Sequence, residues 1–322
     1  GVTRYPWNLD RSRGGSSGGS SAAVASAEVP IAQASDGGGS IRIPAAYCGL
    51  FGIKPGPGVV PVAGGLEEHW YGLSEWGPLA TTVADGALVL DVLAGSSKYR
   101  DPAPPTRRLR IAVSTRTPAA GVRVDRDYRR VTDETADALR AAGHQITIAD
   151  PPYTQRLAMA YLHRFAVGMA DEVDDYHMTF SRLEPRTQRL VRLGRYFRKH
   201  HPVPEHGLDA FRQRFTAWFA DYDALLTPTM AQAFAPAAGW LDINWLQFMV
   251  MGSRQAPMTQ AWNIAGFPAA NVPAGLTADG FPLGVQVVAP RGGEQLVLAL
   301  ATQLEQLRPW PRHAPMAERV AG

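Results

Sequence analysis

The chain has 322 residues, 45% of them apolar and 19% charged, with a formal charge of +3. That balance supports a sizeable core and excludes a disordered chain, and the slight positive charge gives no footing for a nucleic-acid or membrane partner. A single cysteine, Cys48, excludes an internal disulfide and fits a reducing, cytoplasmic setting. No apolar run reaches membrane-spanning length, and residues 1–4 are followed by no apolar core of a signal peptide.

Taken in order, residues 14–44 hold two small-residue clusters, Gly14-Gly15-Ser16-Ser17-Gly18-Gly19-Ser20 and Asp36-Gly37-Gly38-Gly39-Ser40. Between them, residues 20–28 read as an Ala-rich helix and residues 29–34 as a buried strand that delivers Asp36 to Ser40. Glycines let backbone amides approach a ligand, and successive N–H groups aimed at one point stabilise an oxyanion. A serine directly after three glycines is thus a candidate nucleophile with its anion hole in the same loop. Gly15-Ser16-Ser17-Gly18-Gly19 also fits the G-x-S-x-G pattern of an esterase elbow with Ser17 as nucleophile. The preceding residues 5–11 are too polar and turn-rich for the strand that elbow needs.

Cys48, among Ala46, Tyr47, Leu50 and Phe51, reads as a small buried residue rather than a thiol nucleophile. Gly56, Gly58, Gly64 and Gly65 with Pro55, Pro57 and Pro61 mark turns, and His69-Trp70-Tyr71 either lines a pocket or packs as a loop. Thr82 and Asp85 resemble a capping box for a helix ending at Ala94, with Val83, Ala87, Leu90 and Ala94 on one face and Gly95 as the stop. Residues 96–108 form a polar surface connection. Residues 109–113, 128–142 and 145–149 predict a strand, a helix and a strand, an α/β unit. Residues 156–219 read as mostly helical. Their five histidines, His163, His177, His200, His201 and His206, lack metal-ligand spacing and read as surface and capping residues.

Residues 224–228 predict a short buried strand. Trp240, Trp245, Phe248, Met249 and Met251 read as core, with lining of an acyl pocket as the other use of such a cluster. Residues 270–273 and 284–289 predict two more strands, and residues 294–307 an amphipathic closing helix. No repeat or linker divides the chain.

Three blocks carry a resemblance: residues 14–25, residues 34–45, and Cys48-Gly49-Leu50-Phe51-Gly52-Ile53-Lys54-Pro55. In order and spacing they resemble the amidase signature family, and looser likeness continues at residues 77–85, 225–229, 263–269 and 282–288. The resemblance implies an α/β fold, a mixed β-sheet sandwiched between helices, as a single domain over 1–322 with its catalytic block at 14–60. It implies amide hydrolysis to carboxylate plus amine or ammonia by a Ser–cis-Ser–Lys triad, with no metal and no cofactor. Carried over by residue, Ser40 is the nucleophile and Ser16 the bridging serine, joined to Gly15 by a cis peptide. Gly37, Gly38 and Gly39 form the oxyanion hole, and Asp36 and Arg42 brace the loop. The partner implied is a small-molecule amide; a homodimer stays open.

The family's lysine lies upstream of Gly14. The chain's three lysines, Lys54, Lys98 and Lys199, do not match it. The expectation is therefore a member without its N-terminal segment, the catalytic lysine being absent from this chain. The alternatives are an impaired or inactive fragment and an amidotransferase subunit supplying ammonia for glutaminyl-tRNA synthesis. The second usually carries Thr and Gln near Gly38 and Ile43, which this sequence does not.

Overall fold

The computed structural model describes residues 3–12, 14–62, 68–232 and 243–315. Gly64, Gly65 and Trp240 lie outside the described residues. Helix α1 (Gly18–Ala25) is followed by strand β1 (Ile31–Asp36), helix α2 (Arg42–Cys48) and strands β2 (Phe51–Lys54) and β3 (Glu75–Ala80). Next come α3 (Val83–Leu93), β4 (Arg110–Val113), α4 (Arg126–Ala141) and β5 (Gln145–Ile148). Three helices follow, α5 (Arg156–Asp175), α6 (Pro185–His200) and α7 (Asp209–Trp218). The chain closes with β6 (Ala224–Pro228), α8 (Trp245–Gln255), α9 (Gln260–Ala265), β7 (Ala269–Leu276), β8 (Pro282–Val288) and α10 (Glu294–Leu307).

The strands form one eight-stranded sheet in the order β1-β3-β2-β7-β8-β6-β4-β5. It is mixed: β4 runs parallel to β5 and β6, and the other pairs are antiparallel. Successive strand residues point to opposite faces. Ile111 and Val113 accordingly join a core with Val83, Leu90, Tyr128, Val131 and Leu304 of α3, α4 and α10. Ala112 and Leu225 face a second core with Phe215 of α7 and Trp262 of α9. Helices thus cover both faces, the α/β sandwich expected.

The caps follow the sequence chemistry. The Thr82 side chain accepts from Asp85 N–H at the start of α3, and Gly95 and Gly143, at φ 58 and 96, follow α3 and α4. The strand expected at residues 29–34 is shifted to Ile31–Asp36 and is buried only at Ala34 and Asp36. It is the end strand of the sheet, so one edge is unpaired and Ile31 is exposed. Helix α2 is hidden in the sequence by its shortness and by Pro44, which the first helical turn tolerates because its N–H would be unpaired there. The core reading of Trp245, Phe248, Met249 and Met251 fails. No residue of α8 is buried, and Leu246 and Phe248 are exposed. Apolar content does not by itself provide a partner surface, and Phe248 instead lies under the Arg186 guanidinium. Among the described residues the fully buried tryptophan is Trp262.

Candidate active site

The site grows from the end of β1. Asp36 closes the strand and is fully buried. Its carboxylate gathers the turn that follows: Gly39 N–H donates to Oδ1 at 2.5 Å and Ile41 N–H to Oδ2 at 3.2 Å. A side-chain acceptor with three glycines after it can draw in amides that bulkier residues would keep apart. Arg42, also fully buried, meets the same carboxylate through Nε and Nη2, both at 2.9 Å. Burial alone would raise the Asp36 carboxyl, but the Arg42 guanidinium and the Asn263 amide outweigh it and hold it well below the usual carboxylate range.

The other guanidinium donors tie this loop to distant elements. Arg42 Nη1 donates to Gln286 Oε1 of β8 at 2.7 Å and to the Thr259 carbonyl at 3.0 Å. Arg42 Nη2 donates to Asn263 Oδ1 of α9 at 2.6 Å. Asn263 Nδ2 returns hydrogen bonds to Asp36 O and Leu73 O. Thus the loop from 37 to 41 is held by a satisfied buried network, which rigidifies it.

Ser40 emerges from this loop half-buried, just before α2. Ser16 is exposed, and the Gly15–Ser16 peptide is cis, as the resemblance implies. Ser17 N–H donates to the Ser40 carbonyl at 3.4 Å and Ser17 Oγ to the Ser35 carbonyl at 3.3 Å. The two serine-bearing loops are therefore stitched together, one residue from Ser16. Ser17, which the elbow pattern singled out, serves this junction and precedes α1 rather than following a strand.

Of the three amides expected at the anion hole, that of Gly39 is already donated to Asp36. Gly37 and Gly38 are closely covered. A Cβ on Gly37 would fall 2.6 Å from the Trp70 ring, and one on Gly38 would fall 2.3 Å from Tyr161 Oη. Trp70 and Tyr71 both have positive φ, 51 and 57, a costly region for bulky residues. Anchors on α5 hold them there. Trp70 Nε1 donates to Glu172 Oε1 at 3.0 Å, His69 Nε2 meets the same oxygen at 2.8 Å, and Tyr71 Oη donates to Asp171 at 2.7 Å. Of the two uses open to His69-Trp70-Tyr71, packing is what the structure displays, and the packing is against the loop of Ser40.

The lysines stand apart from this arrangement. Lys98 and Lys199 are exposed. Lys54 is fully buried and donates to the Pro55 carbonyl at 2.7 Å. Burial lowers its pKa, against the pull of Glu75, whose own carboxyl is raised by burial. Cys48 is buried beside Ser21. The histidines of the helical region lie at its surface contacts, for instance His163 Nε2 on the His201 carbonyl. Among the described residues no three His, Cys, Asp or Glu side chains gather as a metal set.

Asn263, Thr259 and Gln286 carry no site signal in the sequence. Asn263 and Gln286 fall within the loosely similar segments, but nothing local marks them as partners of a residue more than 200 positions away.

Comparison with known proteins supplies the family. The chain matches the family described as Amidase over residues 1–298. It is 37% identical to AmiB2 of Mycobacterium tuberculosis, assigned by name to the amidases, over 98% of this chain and 69% of that protein. It is 35% identical to an acylamidase of Rhodococcus erythropolis, with the same coverage of 98% and 69%. Among solved structures, a 6-aminohexanoate cyclic dimer hydrolase complexed with substrate superposes with a TM-score of 0.86 at 30% identity, over 98% of this chain and 72% of that one. The chain belongs to the amidase signature family, enzymes that hydrolyse the C–N bond of amides.

Proposed function

We propose that this chain cleaves a small carboxylic amide through an acyl-enzyme on Ser40. The observation that carries the reading is the buried Asp36–Arg42 pair, which fixes the Gly37–Ser40 loop while Ser17 N–H ties that loop to the one bearing Ser16. Ser40 Oγ attacks the amide carbon as its proton passes to Ser16 Oγ, whose own proton passes to the base. In the family mechanism the base is a neutral lysine upstream of Gly14; it is not among this chain's three lysines, so the step requires that residue to be supplied to the chain. The N–H groups of Gly37 and Gly38 face the developing oxyanion; Gly39 contributes by shaping the loop through Asp36. Ser16 then returns a proton to the leaving amine, and water hydrolyses the ester. The relatives named above include an amidase, an acylamidase and a cyclic dimer hydrolase, which supports an amide substrate without choosing among them.

The test is labelling by a fluorophosphonate probe, with Ser40→Ala as control and circular dichroism to confirm folding. Labelling of the wild type and not of Ser40→Ala supports the reading. A folded wild type that stays unlabelled overturns it for this chain and favours the inactive alternative.

A further inference from the structure

A phenol stands over the second glycine of the proposed anion hole. A Cβ on Gly38 would lie 2.3 Å from Tyr161 Oη and 2.7 Å from its Cζ. The Gly38 peptide is pinned by another contact, since Thr259 Oγ1 donates to its carbonyl at 2.7 Å. Tyr161 is itself held rigidly by α5. Its ring stacks on Phe165 at 5.6 Å and 12°, and Phe165 meets Trp70 edge-on at 5.1 Å.

The hydroxyl has no hydrogen-bond partner among the described residues, yet it is not one of the polar atoms sealed without a partner in the interior. Its oxygen therefore keeps some accessible surface on an otherwise half-buried side chain. Burial, and then the nearby Asp36 carboxylate, raise its pKa well above the ordinary tyrosine value, so the oxygen keeps its proton at neutral pH. The result is a fixed, neutral and unused donor beside Gly38. The hole is short of one donor, because Gly39 N–H is committed to Asp36.

We infer that Tyr161 Oη donates a hydrogen bond to the carbonyl oxygen of the scissile amide, taking the place of the N–H that Gly39 gives to Asp36. The inference rests on Ser40 as the nucleophile. Tyr161 neither gains nor loses a proton in the cycle. Its hydrogen bond strengthens as the carbonyl oxygen becomes negative, so it favours the transition state over the bound substrate.

Two measurements on the full chain test it. In the first, benzamide and hexanamide are titrated calorimetrically into Ser40→Ala and into Ser40→Ala/Tyr161→Phe, where no turnover interferes. The ring and its stacking survive in the Phe variant. Removing one neutral hydrogen bond is expected to weaken binding about three- to tenfold. In the second, Tyr161→Phe is labelled with the fluorophosphonate, whose phosphoryl oxygen occupies the anion hole. Labelling about 100- to 1,000-fold slower, with an unchanged thermal melt, is expected. Equal amide affinity in the two variants overturns the inference, as does the absence of amide binding to Ser40→Ala. Labelling of Ser40 at an unchanged rate in Tyr161→Phe removes Tyr161 from the hole and leaves the Ser40 reading standing. A folded wild type that fails to label removes the Ser40 reading, while the amide titration still judges the hydrogen bond.

Discussion

Asp36 and Arg42 meet at 2.9 Å with neither side chain reached by solvent. Six residues apart in sequence, they close the turn that presents Ser40. Taking one partner away leaves a buried charge without its counterion, a loss of about 3–5 kcal/mol. Arg42→Met is therefore expected to lower stability by that order, read from chemical denaturation midpoints. It is also expected to abolish fluorophosphonate labelling even where the variant remains folded. Full labelling of a folded Arg42→Met protein would show that the serine loop holds its shape without the pair.

The same carboxylate sets an acid limit. Its folded pKa lies below the ordinary aspartate value of about 4, because Arg42 outweighs the cost of burial. A group with a depressed folded pKa binds fewer protons folded than unfolded. Its stabilising contribution is complete above the unfolded pKa and is lost as pH falls toward the folded one. Melting temperatures are expected to decline on acidification below about pH 4, and less steeply in Asp36→Asn. Parallel declines in the two proteins would assign the acid sensitivity to other carboxylates.

What the sequence revealed follows from how local each signal is. The capping pair Thr82 and Asp85, the stops at Gly95 and Gly143, and the β4–α4–β5 unit depend on neighbours within a few residues, and they stand where periodicity put them. The loop of Ser40 was legible because its glycines and Asp36 are adjacent. The rest of the site was not. Asn263 and Gln286 reach Arg42 only after the sheet has folded. Strands β2 and β3 contain Gly52, Gly77 and Pro78, residues that weaken a strand signal. Gly77 is required, since a Cβ there would lie 2.1 Å from the Ile53 carbonyl oxygen on the neighbouring strand. Helix α8 misled in the opposite sense: its aromatic and Met content resembles a core segment, and its surface position depends on which faces the other helices already cover.

Helix α5 carries Tyr161, Phe165 and the acidic anchors of Trp70 and Tyr71, so its contact with α6 supports the site from behind. Gly194 makes that contact close, and a Cβ there would fall 1.9 Å from the Ala166 carbonyl oxygen. Backbone cannot step aside as a side chain can, so Gly194→Ala is expected to cost about 1–3 kcal/mol through overpacking. Gly252 in α8 provides the contrast, because nothing lies within 4 Å of its Cβ position. There Gly→Ala is expected to stabilise by about 0.5–1 kcal/mol through helix propensity. Thermal denaturation of the two variants should therefore shift in opposite directions, and a shared sign would refute the packing argument.

Trp70 links α5 to the serine loop, and that link can be measured directly. Its indole lies between two glycines: a Cβ on Gly37 or on Gly168 would come within 2.6 Å of it. Gly37 has no positive φ, so its backbone accepts alanine and only the indole stands in the way. In Gly37→Ala the new methyl must push the ring aside or displace the loop, and the ring is tethered by Glu172. Loop displacement is the expected response, with slower labelling of Ser40 as its readout. In a Trp70→Ala background the obstacle is gone, so the same methyl should cost little beyond what Trp70→Ala has already cost. The two substitutions are thus expected to couple by about 0.5–3 kcal/mol in a double-mutant cycle on the labelling rate. Strict additivity would mean that Gly37 matters for its amide alone and that the indole does not position the loop.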